Sequence, residues 1–390
     1  MAKATATPSG WKKVKFAALF KPHIEYTDDL EKYPLFSLTI ENGVTEKTGR
    51  YERSHLVLKS EAYKIVHPND FVYNPMNVIL GAVARYTGNK EVAVSGYYDV
   101  FSAVYESDIH FFDSFLTSIV MQRQYEKTAT GSLIEKQRVH FSQFMNFELS
   151  LPLLKERNAI SEIFTTQDRL IALKQRLIDA KKQQKRWLMQ NMLTGKVRIP
   201  GFSSKWESAK LGDVCSFVTK RTETFDQANY IGTNNMLQNI GGVVKSSITS
   251  VKSAIEYKDG DILLSNIRPY LRKLWLADRT GGASTDVIIM RPNISAKYAF
   301  LLLSLDSFFN TLANTSKGTK MPRGDKKAIA KYSFEIPSPP EQTAIVEQLT
   351  AAEKEIELLT QNLERQKIVK KHLMQQLLTG KMRVKEASAV

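Results

Sequence analysis

Leu188-Met189-Gln190-Asn191-Met192-Leu193-Thr194-Gly195-Lys196-Val197-Arg198 returns later in the chain as Leu373-Met374-Gln375-Gln376-Leu377-Leu378-Thr379-Gly380-Lys381-Met382-Arg383. Eight of the eleven aligned residues are identical, at an offset of 185 in a chain of 390 residues. The same offset runs backwards without a gap. Glu156, Ala159, Ile160 and Glu162 align with Glu341, Ala344, Ile345 and Glu347, and Pro152 and Pro339-Pro340 stand just ahead of the two blocks. A Pro-bounded segment of about forty residues, closed by Thr-Gly-Lys, therefore occurs twice. Repetition at half the chain length predicts two equivalent halves.

Each copy reads as one long helix. In the second, Ile345, Leu349, Ala352, Ile356, Leu359, Leu363, Gln366, Lys370, Leu373 and Leu377 follow a 4-3-4-3 spacing, the a/d seam of a coiled coil. The first copy has Ile160, Phe164, Gln167, Ile171, Lys174, Ile178, Lys181, Lys185, Leu188 and Met192 in the same register. No Pro or Gly interrupts 156–193 or 341–378. Gly195 and Gly380 then supply the usual C-cap, and Lys196 and Lys381 suit the negative end of the helix dipole. At about 1.5 Å per residue each rod is roughly 57 Å long. A single seam needs a partner, and the economical one is the other copy, packed antiparallel or parallel within the chain.

The bulk composition narrows the function classes. The chain is long enough for more than one domain, and 43% hydrophobic and 10% aromatic residues can build real cores. Its one cysteine, Cys215, excludes a disulfide framework and reads as a small apolar core residue. Six scattered histidines show no metal-ligand spacing, so no metal site is expected. The first thirteen residues lack an apolar signal region, and no apolar run reaches membrane-spanning length, so a cytoplasmic location is expected. The net charge of +15 points towards nucleic acid. Much of it lies on the first helix, where it could follow phosphates.

The segments ahead of the helices share an order of landmarks. Each opens on a tryptophan, Trp11 or Trp206. Short β-prone runs follow: His55–Leu58, Asp70–Tyr73 and Val92–Ser95 in the first segment, Val243-Val244, Asp261–Leu264 and Asp286–Met290 in the second. A short apolar helix comes next, near 111–121 and 298–309, and then a polar basic loop. Two stretches stand out chemically. Residues 316–327 hold Lys317, Lys320, Arg323, Lys326 and Lys327, and residues 267–273 hold Arg268, Arg272 and Lys273 around Tyr270. Arg can grip guanine edges or phosphate in a bidentate way, and Lys supplies phosphate contacts. The counterparts in the first segment are Arg85, Lys136 and Arg138.

Enzyme motifs fail on inspection. A phosphate-binding loop needs a Gly five residues before Gly-Lys and a Ser or Thr after it. Here Gln190 and Gln375 hold the early position, and Val197 and Met382 follow. Asn74-Pro75-Met76-Asn77 lacks the second Pro and the aromatic of an amino-methyltransferase site. Glu256-Tyr257-Lys258 has no Asp on a preceding strand to complete a nuclease metal site. The chain reads as non-catalytic.

The duplicated lead-ins (Pro152 to Ile160; Pro337-Ser338-Pro339-Pro340-Glu341-Gln342-Thr343-Ala344-Ile345), rods and Leu-Thr-Gly-Lys-x-Arg endings resemble the specificity subunit of type I restriction-modification enzymes, over nearly the whole chain. The first lead-in departs from the pattern, with Leu153-Leu154-Lys155-Glu156-Arg157 in place of Pro-Glu-Gln. The resemblance implies an α+β fold with a pseudo-twofold internal repeat. Target recognition domains at 1–151 and 201–337 would alternate with long spacer helices at 152–200 and 338–390, packed as an intramolecular antiparallel coiled coil. It implies that each globular domain reads one half of a bipartite asymmetric site in double-stranded DNA. It also implies two methyltransferase subunits that methylate adenine at N6, docked through the helix ends at Leu188, Leu193, Thr194, Gly195, Leu373, Leu378, Thr379 and Gly380. Motor-nuclease subunits would join them. S-adenosylmethionine, ATP and Mg2+ would sit on those partners, with no cofactor in this chain and no membrane partner. Half-sites about one helical turn apart, roughly 34–36 Å, fall within the reach of such rods. The alternatives are the specificity module of another split-site modification system and a stand-alone coiled-coil DNA-binding protein.

Overall fold

The computed structural model describes residues 8–47, 63–131, 137–246, 250–316, 318 and 322–384. Contacts divide the chain into two compact units, 1–175 with 362–390, and 176–361. The division falls inside the long helices. The globular part of each unit buries the apolar seam of the half-helices beside it, so helix and globule form one core.

The described strands of the first unit are β1 (Lys12–Lys15), β2 (Phe20–His23), β3 (Tyr26–Thr27), β4 (Phe36–Thr39), β5 (Gly43–Glu46), β6 (Tyr63–Val66), β7 (Phe71–Tyr73), β8 (Val83–Arg85), β9 (Val92–Ser95), β10 (Asp99–Ala103) and β11 (Glu148–Leu151). They form a four-stranded sheet β2-β10-β7-β8, a three-stranded sheet β3-β6-β9, a β4-β5 hairpin and a closing pair β1-β11. The helices are α1 (Ile109–Phe115), α2 (Ile119–Thr128) and α3 (Phe141–Met145). Phe16, Phe20, Phe71, Phe101, Phe111, Phe112, Phe115 and Phe144 are fully buried together, mostly in edge-to-face or tilted pairs that aromatic quadrupoles favour. The apolar helix expected near 111–121 is two helices. Leu116 is the C-cap of the first, and Ser118 caps the next, accepting a hydrogen bond from the Met121 amide. The run His55–Leu58 lies outside the described residues.

The first half of the long helix α4 (Leu154–Met192) belongs to this unit. The second unit holds β12 (Glu207–Lys210), β13 (Cys215–Val218), β14 (Arg221–Thr222), β15 (Ala254–Tyr257), β16 (Ile262–Ser265), β17 (Leu274–Leu276), β18 (Gly281–Ala283), β19 (Val287–Pro292) and β20 (Ser333–Ile336), with α5 (Leu211–Val214), α6 (Ala296–Leu303), α7 (Asp306–Asn314) and α8 (Lys326–Ala330). Its sheets are β13-β19-β16-β17, β14-β15-β18 and the pair β12-β20. Strand for strand this is the order of the first unit, with the β4-β5 hairpin additional there. Val243 makes one isolated bridge, to Met236, rather than a strand. Cys215 is buried, and burial pushes its thiol up to about 12, as befits an inert core residue.

The second long helix is α9 (Pro339–Leu377), and both long helices have 39 residues. None of the twenty seam positions read from sequence is exposed. In the first unit Ile160, Phe164, Leu377 and Leu378 join the aromatic core. Along that stretch Glu156 meets Arg383, Asp168 meets Lys370 and Lys174 meets Asn362, so the two half-helices run in opposite directions. The second unit repeats this, with Lys181 meeting Glu355, Lys185 meeting Glu353 and Arg198 meeting Glu341. The polar seam residues are thereby paired: Gln167 with Gln366, and Lys185 with Glu353, which also accepts from Lys297 of α6.

The duplicated lead-in and ending bind each other. Arg198 clasps Glu341 through Nε at 2.6 Å and Nη2 at 2.8 Å, and Arg383 clasps Glu156 at 2.6 and 2.8 Å with the same two atoms. Each Arg also donates to a backbone carbonyl two residues before a tryptophan, at Ser204 or Ser9. Gly195 has φ +71, and a Cβ there would stand 3.3 Å from the Trp206 ring; Gly380 has φ +68 and would drive a Cβ into Pro8. Arg157 explains the irregular first lead-in. Its Nη1 donates to the Pro152 carbonyl at 2.9 Å, as Gln342 does to the Pro337 carbonyl at 3.0 Å. Arg157 also makes a two-bond pair with Asp108, which is 1% exposed.

The two clasps differ in burial. Glu341 is 1% exposed and also accepts from Trp206 Nε1, whereas Glu156 is 12% exposed and its Arg383 42%. Glu341→Ala is expected to destabilise the chain by about 3–5 kcal/mol, the usual cost of orphaning a buried charge. Glu156→Ala is expected to cost about 1 kcal/mol, because water screens that pair. Urea denaturation of the two variants checks the order.

Candidate nucleic-acid interface

The loop after β16 is held in an unusual backbone. Pro269 opens a single 3-10 turn, Pro269–Leu271, and the residues on either side, Arg268 and Arg272, have φ of 54° and 52°. Asn239 and Ile240 have φ of 55° and 59° in a neighbouring loop. Left-handed backbone at non-glycine residues is uncommon, and at a β-branched residue it is an outlier. Hydrogen bonds between the loops hold it. The Asn239 amide donates to the Leu271 carbonyl at 3.0 Å and the Ile240 amide to the Arg272 carbonyl at 2.8 Å. A third segment joins them: Ile267 bridges Arg323, and the Arg268 amide donates to the Pro322 carbonyl at 3.0 Å. The two basic stretches singled out in the sequence thus meet on one surface of the second unit.

Their cations play different parts. Arg272 is engaged internally, with Nη1 on Asp306 at 2.5 Å, Nη2 on the Ser304 carbonyl at 3.1 Å and its guanidinium 4.8 Å above the Phe309 ring. Lys273 donates to the Thr233 carbonyl at 2.7 Å, and burial together with Arg268 holds its pKa below the ordinary lysine value. Arg268 is exposed and makes no side-chain hydrogen bond among the described residues. Arg323 is 57% exposed and pairs with Asp286 at 3.1 Å, a contact weak enough in water to exchange for phosphate. Lys326 is exposed at the start of α8, where Asp325 is the N-cap. Tyr270, 60% exposed, presents a ring beside them. Lys317 and Lys320 lie outside the described residues.

The first unit has the same frame with other chemistry. After β7 the chain passes through Asn74–Asn77 into a 3-10 turn, Val78–Leu80. Asn74 is buried, and its Oδ1 accepts from the Met76 amide, so the Asn-Pro pair shapes a turn. The Val139 amide donates to the Pro75 carbonyl at 3.0 Å, which brings Arg138 to this loop as Arg323 is brought to its own. Arg138 is half-buried and its backbone pairs with Thr130. The loop exposes Leu80 and Met76 in place of Tyr270 and Arg268. Arg85 is engaged with Asp113 at 3.1 Å and Asn69 at 2.8 Å. Lys136 lies outside the described residues.

The helix-end leucines face inward. Leu193 and Leu378 are 1% exposed and Leu188 and Leu373 are half-buried, each packed in its own unit's core. Thr194 and Thr379 donate to the carbonyls of Gln190 and Gln375, both at 2.6 Å. Exposed apolar side chains lie elsewhere on the helices: Leu170, Leu173, Ile368 and Val369 in the first unit, and Leu177, Trp187 and Leu358 in the second.

Chain spacing concealed one cluster. His23, His67 and Asp70 converge in the first unit with one ligand-type atom each inside 4.8 Å, although the sequence led to no expected metal site. They are separated by 44 and 3 positions, and only the pairing of β2 with the β7 sheet brings them together. Burial raises the Asp70 carboxyl above its usual range despite hydrogen bonds from the His67 amide and His23. Among the described residues, no helix is long and apolar enough to cross a membrane.

A duplicated α+β frame with two long helices defines a class of modular two-part scaffold. Residues 203–366 match the type I restriction modification DNA specificity domain family. The chain is 26% identical over 175 residues to the EcoDI specificity subunit of Escherichia coli, covering 42% of this chain and 39% of that one. It is 24% identical over 274 residues to the MjaVIII specificity subunit of Methanocaldococcus jannaschii, covering 62% and 64%. The aligned stretches thus span under two thirds of either relative. Among solved structures, a chain from work on complex assembly and conformational transition of the type I R-M system superposes with a TM-score of 0.61 at 14% identity, covering 96% of this chain and 99% of that one. The HsdS subunit of Thermoanaerobacter tengcongensis gives 0.54 at 15%, covering 97% and 99%. Residues 203–366 thus carry the family's domain, and the chain is similar to specificity subunits of type I restriction enzymes over the stretches that align.

Arg268→Ala is expected to weaken binding to a specific duplex by about 1–3 kcal/mol, roughly 5- to 150-fold, with thermal stability unchanged. Arg272→Ala is expected to lower thermal stability, since it removes the contacts to Asp306, Ser304 and Phe309. Fluorescence anisotropy and calorimetry on both variants separate the two roles.

Proposed function

We propose that this chain is the DNA sequence-recognition subunit of a type I restriction-modification system, each globular segment reading one half of a bipartite site. The observation that carries this is the pairing of identical strand order with different loop chemistry. The β16–β17 loop offers Arg268 and Tyr270, with Arg323 beside it on a separate segment, while the β7–β8 loop offers Met76 and Leu80, with Arg138 beside it. Arg reads guanine edges, and apolar groups suit the thymine methyl, so two such surfaces suit two different half-sites. Lys136, Lys317, Lys320 and Lys326 add phosphate contacts in this reading.

The two long helices act as one intramolecular antiparallel coiled coil that sets the spacing between half-sites. They also dock two methyltransferase subunits, which carry S-adenosylmethionine, and motor-nuclease subunits join for cleavage. The helix-end residues Leu188, Leu193, Thr194, Gly195, Leu373, Leu378, Thr379 and Gly380 fix the shape of the docking surface. The exposed apolar residues, Trp187 among them, supply its contacts, since aromatic anchors carry much of the energy at interfaces.

Methylation mapping in cells that carry this chain with its methyltransferase tests the proposal. One bipartite motif is expected. Exchanging the β16–β17 loop should alter one half-site and leave the other and the spacer unchanged, whereas one added heptad in each long helix should alter only the spacer. Tight, sequence-specific DNA binding by the chain alone, with no methyltransferase partner in co-purification, would favour a stand-alone DNA-binding protein instead.

A further inference from the structure

The two units treat one buried carboxylate differently. Asp70 and Asp261 stand one residue ahead of the equivalent strands β7 and β16, and are 3% and 1% exposed. Each accepts the backbone amide three residues earlier, from His67 at 2.9 Å and Lys258 at 2.8 Å. In the second unit Arg291 neutralises Asp261 through two bonds of 2.8 and 2.7 Å. Strand register shows what replaces that cation in the first unit. Ile262 pairs with Met290 and Phe71 with Phe101, so the position after Met290, Arg291, corresponds to Ser102. The arginine is missing, and the Ser102 hydroxyl instead lies 3.2 Å from His23 Nε2.

Around Asp70 stand metal-ligand side chains. His23 Nδ1 is 3.0 Å from Asp70 Oδ2. His67 lies between two further carboxylates, with Nδ1 2.9 Å from Glu91 and Nε2 3.2 Å from Glu25. The two imidazole rings meet edge-on with centroids 5.7 Å apart. Asp70 forms a buried floor, while His67 is 30% exposed and gives access from solvent. Three carboxylates around two imidazoles leave an excess of negative charge where the other unit places a fixed guanidinium.

We propose that His23, His67 and Asp70 bind a divalent cation of the zinc class, with Glu91 or Glu25 as a further ligand. Two imidazoles and a carboxylate are a donor set zinc commonly takes. Zn–N and Zn–O bonds near 2.0–2.2 Å place tetrahedral ligand atoms about 3.3 Å apart. The His23–Asp70 pair is already near that spacing, and rotation of the accessible His67 ring closes the rest of the 4.8 Å span. The ion would join β2 to the turn between β6 and β7, and so tie the four-stranded sheet of the first unit to its three-stranded sheet. Its role would be structural, supplying the charge that Arg291 supplies in the second unit.

The test uses the full, untagged chain stripped with a chelator and titrated with zinc chloride alone, without DNA, so that it stands apart from the proposed recognition function. Calorimetry is expected to show one tight site, and the melting temperature should rise with zinc concentration. Cobalt chloride should give the visible absorption of a tetrahedral site. His67→Gln and Asp70→Asn, each verified as folded by circular dichroism, should lose at least 10-fold in zinc affinity, while Arg291→Gln should bind zinc as the parent does. Absence of saturable binding in the parent chain, or undiminished binding in both first-unit variants, would overturn the proposal. A stability that follows pH and ignores zinc would overturn it too, because protonated imidazoles would then supply the charge.

Discussion

A glutamate at the start of one long helix and an arginine just past the end of the other hold this structure together. Helix termini leave backbone groups unsatisfied, and an antiparallel pair of half-helices splays at its ends unless something fixes them. The Glu341–Arg198 and Glu156–Arg383 pairs do so in the second and first units, and each arginine reaches on to the chain just before a tryptophan. The globular segment is thereby attached at its first strand, and its last strand pairs with that first strand before the next helix begins. Every repeated motif has a place in this joint: the Glu of the lead-in, the Gly that lets a tryptophan ring approach, and the Arg that follows.

With the frame fixed, its loops can carry strain and charge. Four residues, the pair Asn239-Ile240 and the two flanks of the Pro269 turn, sit in left-handed backbone because hydrogen bonds from adjoining loops hold them there. Basic residues on this surface fall into two groups. Arg272 and Lys273 anchor the loop to the body of the unit, and Arg268 and Arg323 stand outside it.

The long helices were legible because they rest on periodicity, which is local. Seam positions such as Lys185 and Gln366 look like defects in the sequence and become sound once Glu353 and Gln167 face them. Strand order was legible only through matched landmarks such as Asp70 and Asp261. The internal engagement of Arg85 and Arg272 was hidden, because Asp113 and Asp306 are 28 and 34 positions away and nothing in the spacing marks them as partners. The His23–His67–Asp70 cluster was hidden for the same reason. The irregular Leu-Lys-Glu-Arg of the first lead-in looked like decay of the pattern, yet Arg157 makes the carbonyl bond that Gln342 makes and adds a second partner.

That second partner gives the two halves unequal freedom to diverge. Gln342 asks of the segment before it only a backbone carbonyl, which any sequence provides. Arg157 asks for a carboxylate at position 108, deep inside the preceding segment. Recombination that brings in a foreign second segment leaves the polar lead-in bond of its helix intact. A foreign first segment without an acid at that place would strand a guanidinium that is only 11% exposed. Arg157 thus acts as a compatibility test on the first half of the molecule, and the second segment is freer to be replaced as a unit.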